Sequence, residues 1–97
     1  MDQLIVQAIR EKRLLSFTYD GHPRIVEPHC YGITTASNDA LCCYQVGGSG
    51  VHADSKPWHL MVCSKIVSLS LLEEKFSVAR PGYRRGDKRM VTIYCEL

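Results

Sequence analysis

The sequence has no long apolar segment. Its apolar fragments, such as residues 60–63, are far shorter than the ~20 residues that a membrane-spanning helix needs. The first four residues also lack the basic stretch and the apolar block of a secretory signal. We therefore expect a cytoplasmic protein that has no membrane partner.

Motifs that usually hold metals, cofactors or phosphates are absent as well. His29 precedes Cys30, and His59 lies close to Cys63, but the chain has no C-x2-C pair and no H-x3-5-H pair. Structural zinc sites favour such closely paired ligands. No GxGxxG or GxxxxGK[ST] phosphate loop occurs, because the glycine-rich residues 47–50 are not followed by a lysine and a helix. We expect no metal ion and no cofactor.

Cysteine is present, but its pattern is not that of a secreted disulfide framework. Such frameworks carry even counts in loop-rich chains, whereas this chain has five cysteines and one adjacent pair. Free cysteine packs as a small hydrophobic residue, so we expect reduced and mostly buried thiols. The five are Cys30, Cys42, Cys43, Cys63 and Cys95.

The positive charge is concentrated at the end of the chain. Residues 1–79 carry seven basic and eight acidic side chains, whereas residues 80–97 carry five basic and two acidic ones. A basic block of this kind can face phosphate groups, or it can be a solvated terminal surface. Its members are Arg80, Arg84, Arg85, Lys88 and Arg89.

Apolar periodicity predicts one amino-terminal helix and then five or six short strands. Asp2 is a suitable N-cap for a helix that ends near Arg13, because apolar residues recur there at three- to four-residue spacing. Strand patterns cover residues 15–19, 24–27 with 31–33 after a kink, 40–46, 58–62, 66–72 and 90–95. The order predicts a single mostly β domain over residues 1–97, either a small barrel or a strongly curled antiparallel sheet, capped by the helix.

Turn residues separate these elements. Gly21 permits a positive φ in the turn at residues 20–23, and Pro23 is expected to stop the strand ladder there. Pro28 is expected to end the second strand, and residues 73–76 to turn out of the sheet. Residues 47–57 are interpreted as a long hairpin loop.

The order of short motifs resembles the WYL-domain family. That family opens with an Ala-Ile helix, to which residues 8–9 (AI) are similar. A strand ending in Tyr follows, similar to residues 17–19 (FTY), and then an Arg-hydrophobic-x-Pro strand, similar to residues 24–28 (RIVEP). Residues 41–45 (LCCYQ) lie where the family has its aromatic-rich strand. Residues 58–61 (WHLM) and 64–66 (SKI) resemble the block that leads to its Asp-Arg-Ile signature, and residues 76–90 resemble the end of short members.

The resemblance spans about residues 4–94 and implies an SH3/Sm-like barrel that binds nucleotides or nucleic acid in regulation, including transcriptional regulation. Many members carry a preceding helix-turn-helix domain. Only about thirteen residues come before the first predicted strand, so we expect a short stand-alone member without that domain. The partners to test are a separately encoded regulator and a second copy of the chain.

The chain also departs from the family pattern. His59, Val62 and Lys65 stand where the family often has arginines, and Ser64 replaces an aspartate. Lysine keeps the charge but lacks the bidentate guanidinium, and valine cannot bind an anion. A ligand pocket at these positions would therefore differ from that of the family.

Two sets of residues are candidates for binding. The first set contains residues at positions that match the family's ligand site. Phosphate recognition needs hydrogen-bond donors on a rigid sheet, so these residues are candidates for binding a ligand or a phosphate. This set is Tyr19, Arg24, His59 and Lys65. The second set combines basic side chains with an aromatic ring, which is the combination that binds single-stranded nucleic acid. This set is Tyr83, Arg84, Arg85, Lys88 and Arg89. The alternatives are strand-edge surface charges for Arg24 and Lys65 and a solvated terminal hairpin for the second set.

The sequence supports three hypotheses about function. The first is a non-enzymatic regulatory module that recognises a nucleotide or single-stranded nucleic acid through basic residues on a β scaffold. The second is a protein-interaction or oligomerisation module without a small ligand, because the apolar residues 40–46 would need cover on both faces. The third is a small hydrolase that uses Cys or His, although the sequence shows no nucleophile turn.

Overall fold

The computed structural model describes residues 2–49 and 57–97, and within them the chain forms one helix and six strands. The elements are α1 Gln3–Glu11, β1 Arg13–Tyr19, β2 His22–Thr34, β3 Asp39–Gly48, β4 Trp58–Val62, β5 Val67–Lys75 and β6 Met90–Glu96. The predicted mostly β fold with one amino-terminal helix is confirmed. Most of the long loop predicted for residues 47–57 lies outside the described residues.

Helix α1 has the predicted cap. The Asp2 carboxylate accepts a hydrogen bond from the Leu4 amide at 2.9 Å, which satisfies one of the free donors of the first turn. The helix ends at Lys12, which adopts the left-handed conformation with a φ of 52°. Ile5 and Ile9 face the sheet and are fully buried. Across the described ranges, no helix is long and apolar enough to cross a membrane.

The six strands form one antiparallel sheet that is strongly curled. The strand order is β4-β3-β2-β1-β5, and β6 pairs with β2. Strand β3 covers one edge of β2, so β1 and β6 share the other edge, β1 through residues 22–26 and β6 through residues 30–34. The outer strands β4 and β5 are not paired with each other in the part of the chain described, so the sheet does not close into a barrel.

Strand β2 passes through Pro28 instead of ending there. Pro28 was expected to end the strand, with residues 31–33 continuing it after a kink, and β2 does include those residues, as one strand from His22 to Thr34. The pairing with β3 shifts register between Pro28 and Cys30. Such an irregularity accommodates a residue without an amide hydrogen and bends the strand.

The turn before β2 is also tighter than predicted. Asp20 and Gly21 both have positive φ, 52° and 75°, and connect the paired residues Tyr19 and His22. Two consecutive positive φ values are typical of a two-residue type I′ hairpin. Pro23 therefore lies inside β2, near its start, where the missing amide hydrogen is tolerated.

Strand β5 is longer than its apolar pattern indicated. Residues 73–76 were expected to leave the sheet, but Lys75 still pairs with Arg13 of β1. The Arg13 Nε also donates to the Leu72 carbonyl at 2.8 Å. Backbone pairing with β1 thus extends the strand through polar residues that the periodicity excluded.

Gly32 permits the close approach of β2 and β6. A Cβ at this position would overlap the Thr92 carbonyl oxygen and lie 3.0 Å from the Ile93 Cα. Because these atoms belong to the backbone, Gly32→Ala is expected to displace β6 and lower the free energy of unfolding by about 1–3 kcal/mol, measured by urea denaturation.

A second strand glycine provides the matched control. A Cβ at Gly47 would meet only the Ile25 side chain, at 3.4 Å. Gly47→Ala is expected to change the free energy of unfolding by less than about 0.5 kcal/mol. If both variants lost the same free energy of unfolding, the close approach of β2 and β6 would not be the cause of the loss in Gly32→Ala.

Candidate ligand-binding cleft

A cleft of about 640 Å³ lies between β4 and the segment that leads into β6. Its volume is in the range of small-molecule sites. The lining residues are Cys42 of β3, Trp58 and His59 of β4, and residues 82–89. All five members of the predicted nucleic-acid set line it, together with His59 from the predicted ligand set. Tyr19, Arg24 and Lys65 do not belong to its wall.

Positive charge dominates this cleft, since four basic residues line it against the single carboxylate of Asp87. Asp87 binds Arg89 through both oxygens, with a shortest distance of 2.6 Å, and these hydrogen bonds lower the pKa of Asp87. The same guanidinium lies 3.5 Å from the Cys42 Sγ. Arg89 is therefore fixed against the cleft floor.

The other three basic side chains differ in their freedom. Arg85 pairs with Glu96 at 3.3 Å, but its side chain is largely exposed. Arg84 and Lys88 are exposed and have no hydrogen-bond or ion-pair partner among residues 2–49 and 57–97. They can bind an external anion without first breaking an internal contact.

Two aromatic rings of the cleft come from different parts of the chain. The rings of Trp58 and Tyr83 are nearly parallel, with an interplanar angle of 21° and centroids 6.4 Å apart. The Trp58 Nε1 donates to the Pro81 carbonyl at 3.3 Å, and its ring contacts Tyr44 edge-on. The Trp58 side chain is half-buried.

The basic segment, residues 80–89, is attached to the sheet by a buried carboxylate. Glu27 of β2 accepts hydrogen bonds from the Arg80 Nε at 2.8 Å and from its second terminal nitrogen at 3.0 Å. The Arg80 guanidinium also lies 4.5 Å from the centre of the Tyr44 ring. Its amide donates to the ring of His29 at 3.0 Å.

Sequence reasoning missed Glu27 and His29 as residues that shape this cleft. Each lies more than fifty residues from Arg80, and no local motif links them to it. The available signal was a charged residue and a histidine beside Pro28, inside a strand that becomes buried. That signal indicates a polar contact but does not identify its partner.

Three members of the predicted ligand set, Tyr19, Arg24 and His59, lie in a polar cluster that adjoins the cleft, because His59 also lines the cleft wall. Arg24 is only 5% exposed and donates to the Gln45 Oε1 and the Tyr19 carbonyl, both at 3.2 Å. The Arg24 Nε and the His59 Nε2 are buried without a hydrogen-bond partner among the described atoms. Burial first, and then the Arg24 charge, lowers the pKa of His59.

The alternative interpretation of Arg24 as a strand-edge surface charge is wrong, because β2 is an interior strand. Lys65, in contrast, is exposed in the 3-10 turn Cys63–Lys65. Tyr19 approaches this turn, since its hydroxyl accepts from the Val62 amide at 3.1 Å. Lys65 itself forms no hydrogen bond with the cluster, so the structure separates it from Arg24.

All five cysteines are free thiols, and three of them are buried, as the sequence predicted. Burial raises the pKa of Cys30 and of Cys63 to about 12. Such thiols stay protonated near neutral pH and are poor nucleophiles. Over the described ranges, no three His, Cys, Asp or Glu residues are grouped so that they could hold a metal ion.

Comparison with known proteins gives no relative. No protein-family model matches the chain, and neither the curated proteins nor the solved structures include a similar one. The resemblance to the WYL-domain family therefore stays a prediction from short sequence motifs.

Proposed function

We propose that this protein is a non-enzymatic regulatory module that binds a nucleotide or a single-stranded nucleic acid in the cleft. The observation that carries the proposal is the convergence of four basic residues of this segment, at positions 84, 85, 88 and 89, with two aromatic side chains on one concave surface. Phosphates are bound by basic donors and bases stack on aromatic faces. The cleft offers both kinds of group.

Each part of the cleft has a separate role in this proposal. Arg84 and Lys88 contact phosphates, because they have no partner to give up within the part of the chain that the structure describes. Arg85 and Arg89 are each paired with a carboxylate that offsets their charge, so they contribute hydrogen-bond donors more than net charge. Trp58 and Tyr83 offer ring faces to the bases. Contacts of this kind are tolerant of sequence, so weak base preference is expected.

The family assignment is part of the proposal and suggests a second location. In a WYL-like protein, Tyr19, Arg24 and His59 would contribute to the ligand site. Their cluster supports this idea, because the buried Arg24 guanidinium has no carboxylate partner among residues 2–49 and 57–97, and an anionic ligand would stabilise such a group. The open cleft remains the preferred location, since its cations are reachable from solvent.

Trp58 is the only tryptophan and lies in the cleft, so its fluorescence reports binding directly. We expect nucleotides or short single-stranded oligonucleotides to change Trp58 emission at low salt. The apparent affinity should fall steeply between about 50 and 200 mM salt, because phosphate contacts release counterions. Absence of any response across nucleotides, DNA and RNA at low salt would refute the proposal.

One substitution distinguishes the two locations. Arg24→Met removes the buried charge of the polar cluster but leaves the cleft residues in place. If the ligand occupies the cleft, affinity is expected to stay within about twofold of that of the unmodified chain. Loss of binding in this folded variant would move the site to the polar cluster.

The hypothesis of a protein-interaction module rested on the apolar residues 40–46, which lie in strand β3. Ala40 and Cys42 pack on one side with Met90, while Leu41 and Cys43 pack on the other side in the main core. The chain itself therefore covers both faces of residues 40–43, whereas Val46 at the end of the apolar run is 41% exposed. Within the described chain, the outer edges of β4 and β5 have no strand partner, so pairing with a partner strand remains the second candidate function.

A further inference from the structure

His29 is completely buried beneath the segment that carries the basic residues. Its Nδ1 lies 2.8 Å from the Glu27 carbonyl oxygen, which can only accept, so Nδ1 carries a hydrogen. Its Nε2 lies 3.0 Å from the Arg80 amide, which can only donate, so Nε2 has a free lone pair. Both contacts together require the neutral ring in one tautomer.

The same ring contacts both aromatic walls of the cleft. Trp58 and Tyr83 approach it edge-on, with centroids at 4.7 and 5.1 Å, and Phe76 stacks on it at 5.6 Å. The Tyr83 hydroxyl also donates to the His29 carbonyl at 3.3 Å. His29 thus joins β2, β4 and the basic segment at one point.

We propose that His29 is a positioning residue for the cleft: its neutral ring holds residues 80–89 against β4, and its protonation releases them and weakens ligand binding. The inference rests on the proposed function, because the site it regulates is the cleft. It requires no direct contact between His29 and the ligand.

Protonation of His29 would place an N–H donor opposite the Arg80 amide hydrogen, so the contact would become repulsive. The charged groups that face the ring are the Glu27 carboxylate from β2 and the Arg80 guanidinium from the basic segment. Trp58 and Phe76 carry no charge. The Tyr83 phenol is neutral, since burial raises its pKa.

The direction of the pH effect follows from these surroundings. Burial is the largest effect and lowers the pKa of His29, Arg80 lowers it further, and Glu27 opposes both. With a folded-state pKa below the ordinary value of about 6.5, the contribution of His29 is complete above that pH. It is lost as the pH falls towards the folded-state pKa. Affinity for an anion should therefore decrease on acidification, although added positive charge alone would increase it.

The test uses an oligothymidine of about eight nucleotides without terminal phosphates, because its phosphodiesters do not titrate between about pH 5 and 8. Binding is expected to weaken as the pH falls below about 6.5, by roughly tenfold once His29 is protonated. Trp58 fluorescence of the ligand-free chain should show a transition over the same range. His29→Gln, whose amide oxygen can still accept from Arg80, should abolish both pH dependences.

Other variants identify the titrating group. His22→Gln changes an exposed histidine outside the cleft and should leave both profiles unaltered. His59→Gln should retain the fluorescence transition, whatever its affinity. Glu27→Gln removes the carboxylate that favours the charged ring, so the midpoint should move to lower pH. This variant decides the question if His29→Gln does not fold.

The outcomes separate the two proposals. If the oligothymidine does not bind at any pH but the ligand-free transition depends on His29, the cleft function fails and the structural role of His29 stands. If binding occurs but neither profile changes with pH, the inference about His29 is wrong. A midpoint that stays constant or rises in Glu27→Gln would also overturn it.

Discussion

Replacing Arg84 and Lys88 together with glutamine is expected to weaken binding of a single-stranded oligonucleotide by tenfold or more at low salt. Both side chains are exposed in the cleft and lack internal partners in the described chain, so their removal costs the fold little. Each lost phosphate contact also reduces the salt dependence. The slope of log affinity against log salt should become shallower by about 0.7 per contact.

The control for this prediction is Arg10→Gln. Arg10 is exposed in the last turn of α1 and does not line the cleft, and the change also removes one positive charge. Affinity and salt slope should match those of the unmodified chain, apart from a small general effect of net charge. If Arg10→Gln and the double variant weaken binding equally, the cleft is not the site. Fluorescence titration at several salt concentrations measures both quantities.

Arg80→Ala is expected to have the largest effect on stability of any change in the basic segment. It leaves the Glu27 carboxylate buried, with only 7% of its side chain exposed and without its ion-pair partner. An unpaired buried charge is far more costly than the loss of a surface contact. The melting temperature should fall by roughly 10 °C, as measured by thermal unfolding. Binding at the cleft should weaken as well, because residues 82–89 lose one attachment.

Two further variants test the physical reason for this effect. Arg85→Ala also removes an arginine from an Arg–Glu pair, but that arginine is 73% exposed, so the melting temperature should fall by less than roughly 4 °C. Glu27→Gln combined with Arg80→Ala removes the buried charge together with its partner. The double variant should be more stable than Arg80→Ala alone. Additive losses would mean that burial of the Glu27 charge is not the cause.

Local patterns in the sequence were sufficient for most elements of the fold. The Asp2 cap and the apolar spacing placed α1 to within two residues, and strand β4 was predicted with the observed bounds 58–62. These features depend on residues that are neighbours along the chain. The predictions that failed, the break at Pro28 and the turn at residues 73–76, concern places where pairing with another strand overrides local preference.

The candidate site was predictable only in its composition. The charge count identified the basic block before any coordinates, and its five predicted contacts do line one cleft. The sequence could not show that Arg24 would be buried in the interior of the sheet, or that Lys65 would lie apart from it. The face of the sheet that a side chain occupies depends on the strand register. A register shift of one residue moves the side chain to the opposite face.

The sequence by itself determined a mostly β chain with one capped helix, free thiols and a cationic end. The tertiary structure decided which of those charges share a surface and what holds them there. The bend of β2 lets β1 and β6 use the same edge, and the buried pair of Glu27 and His29 anchors Arg80 from more than fifty residues away. Such contacts depend on the path of the whole sheet, because no stretch of neighbouring residues contains both partners.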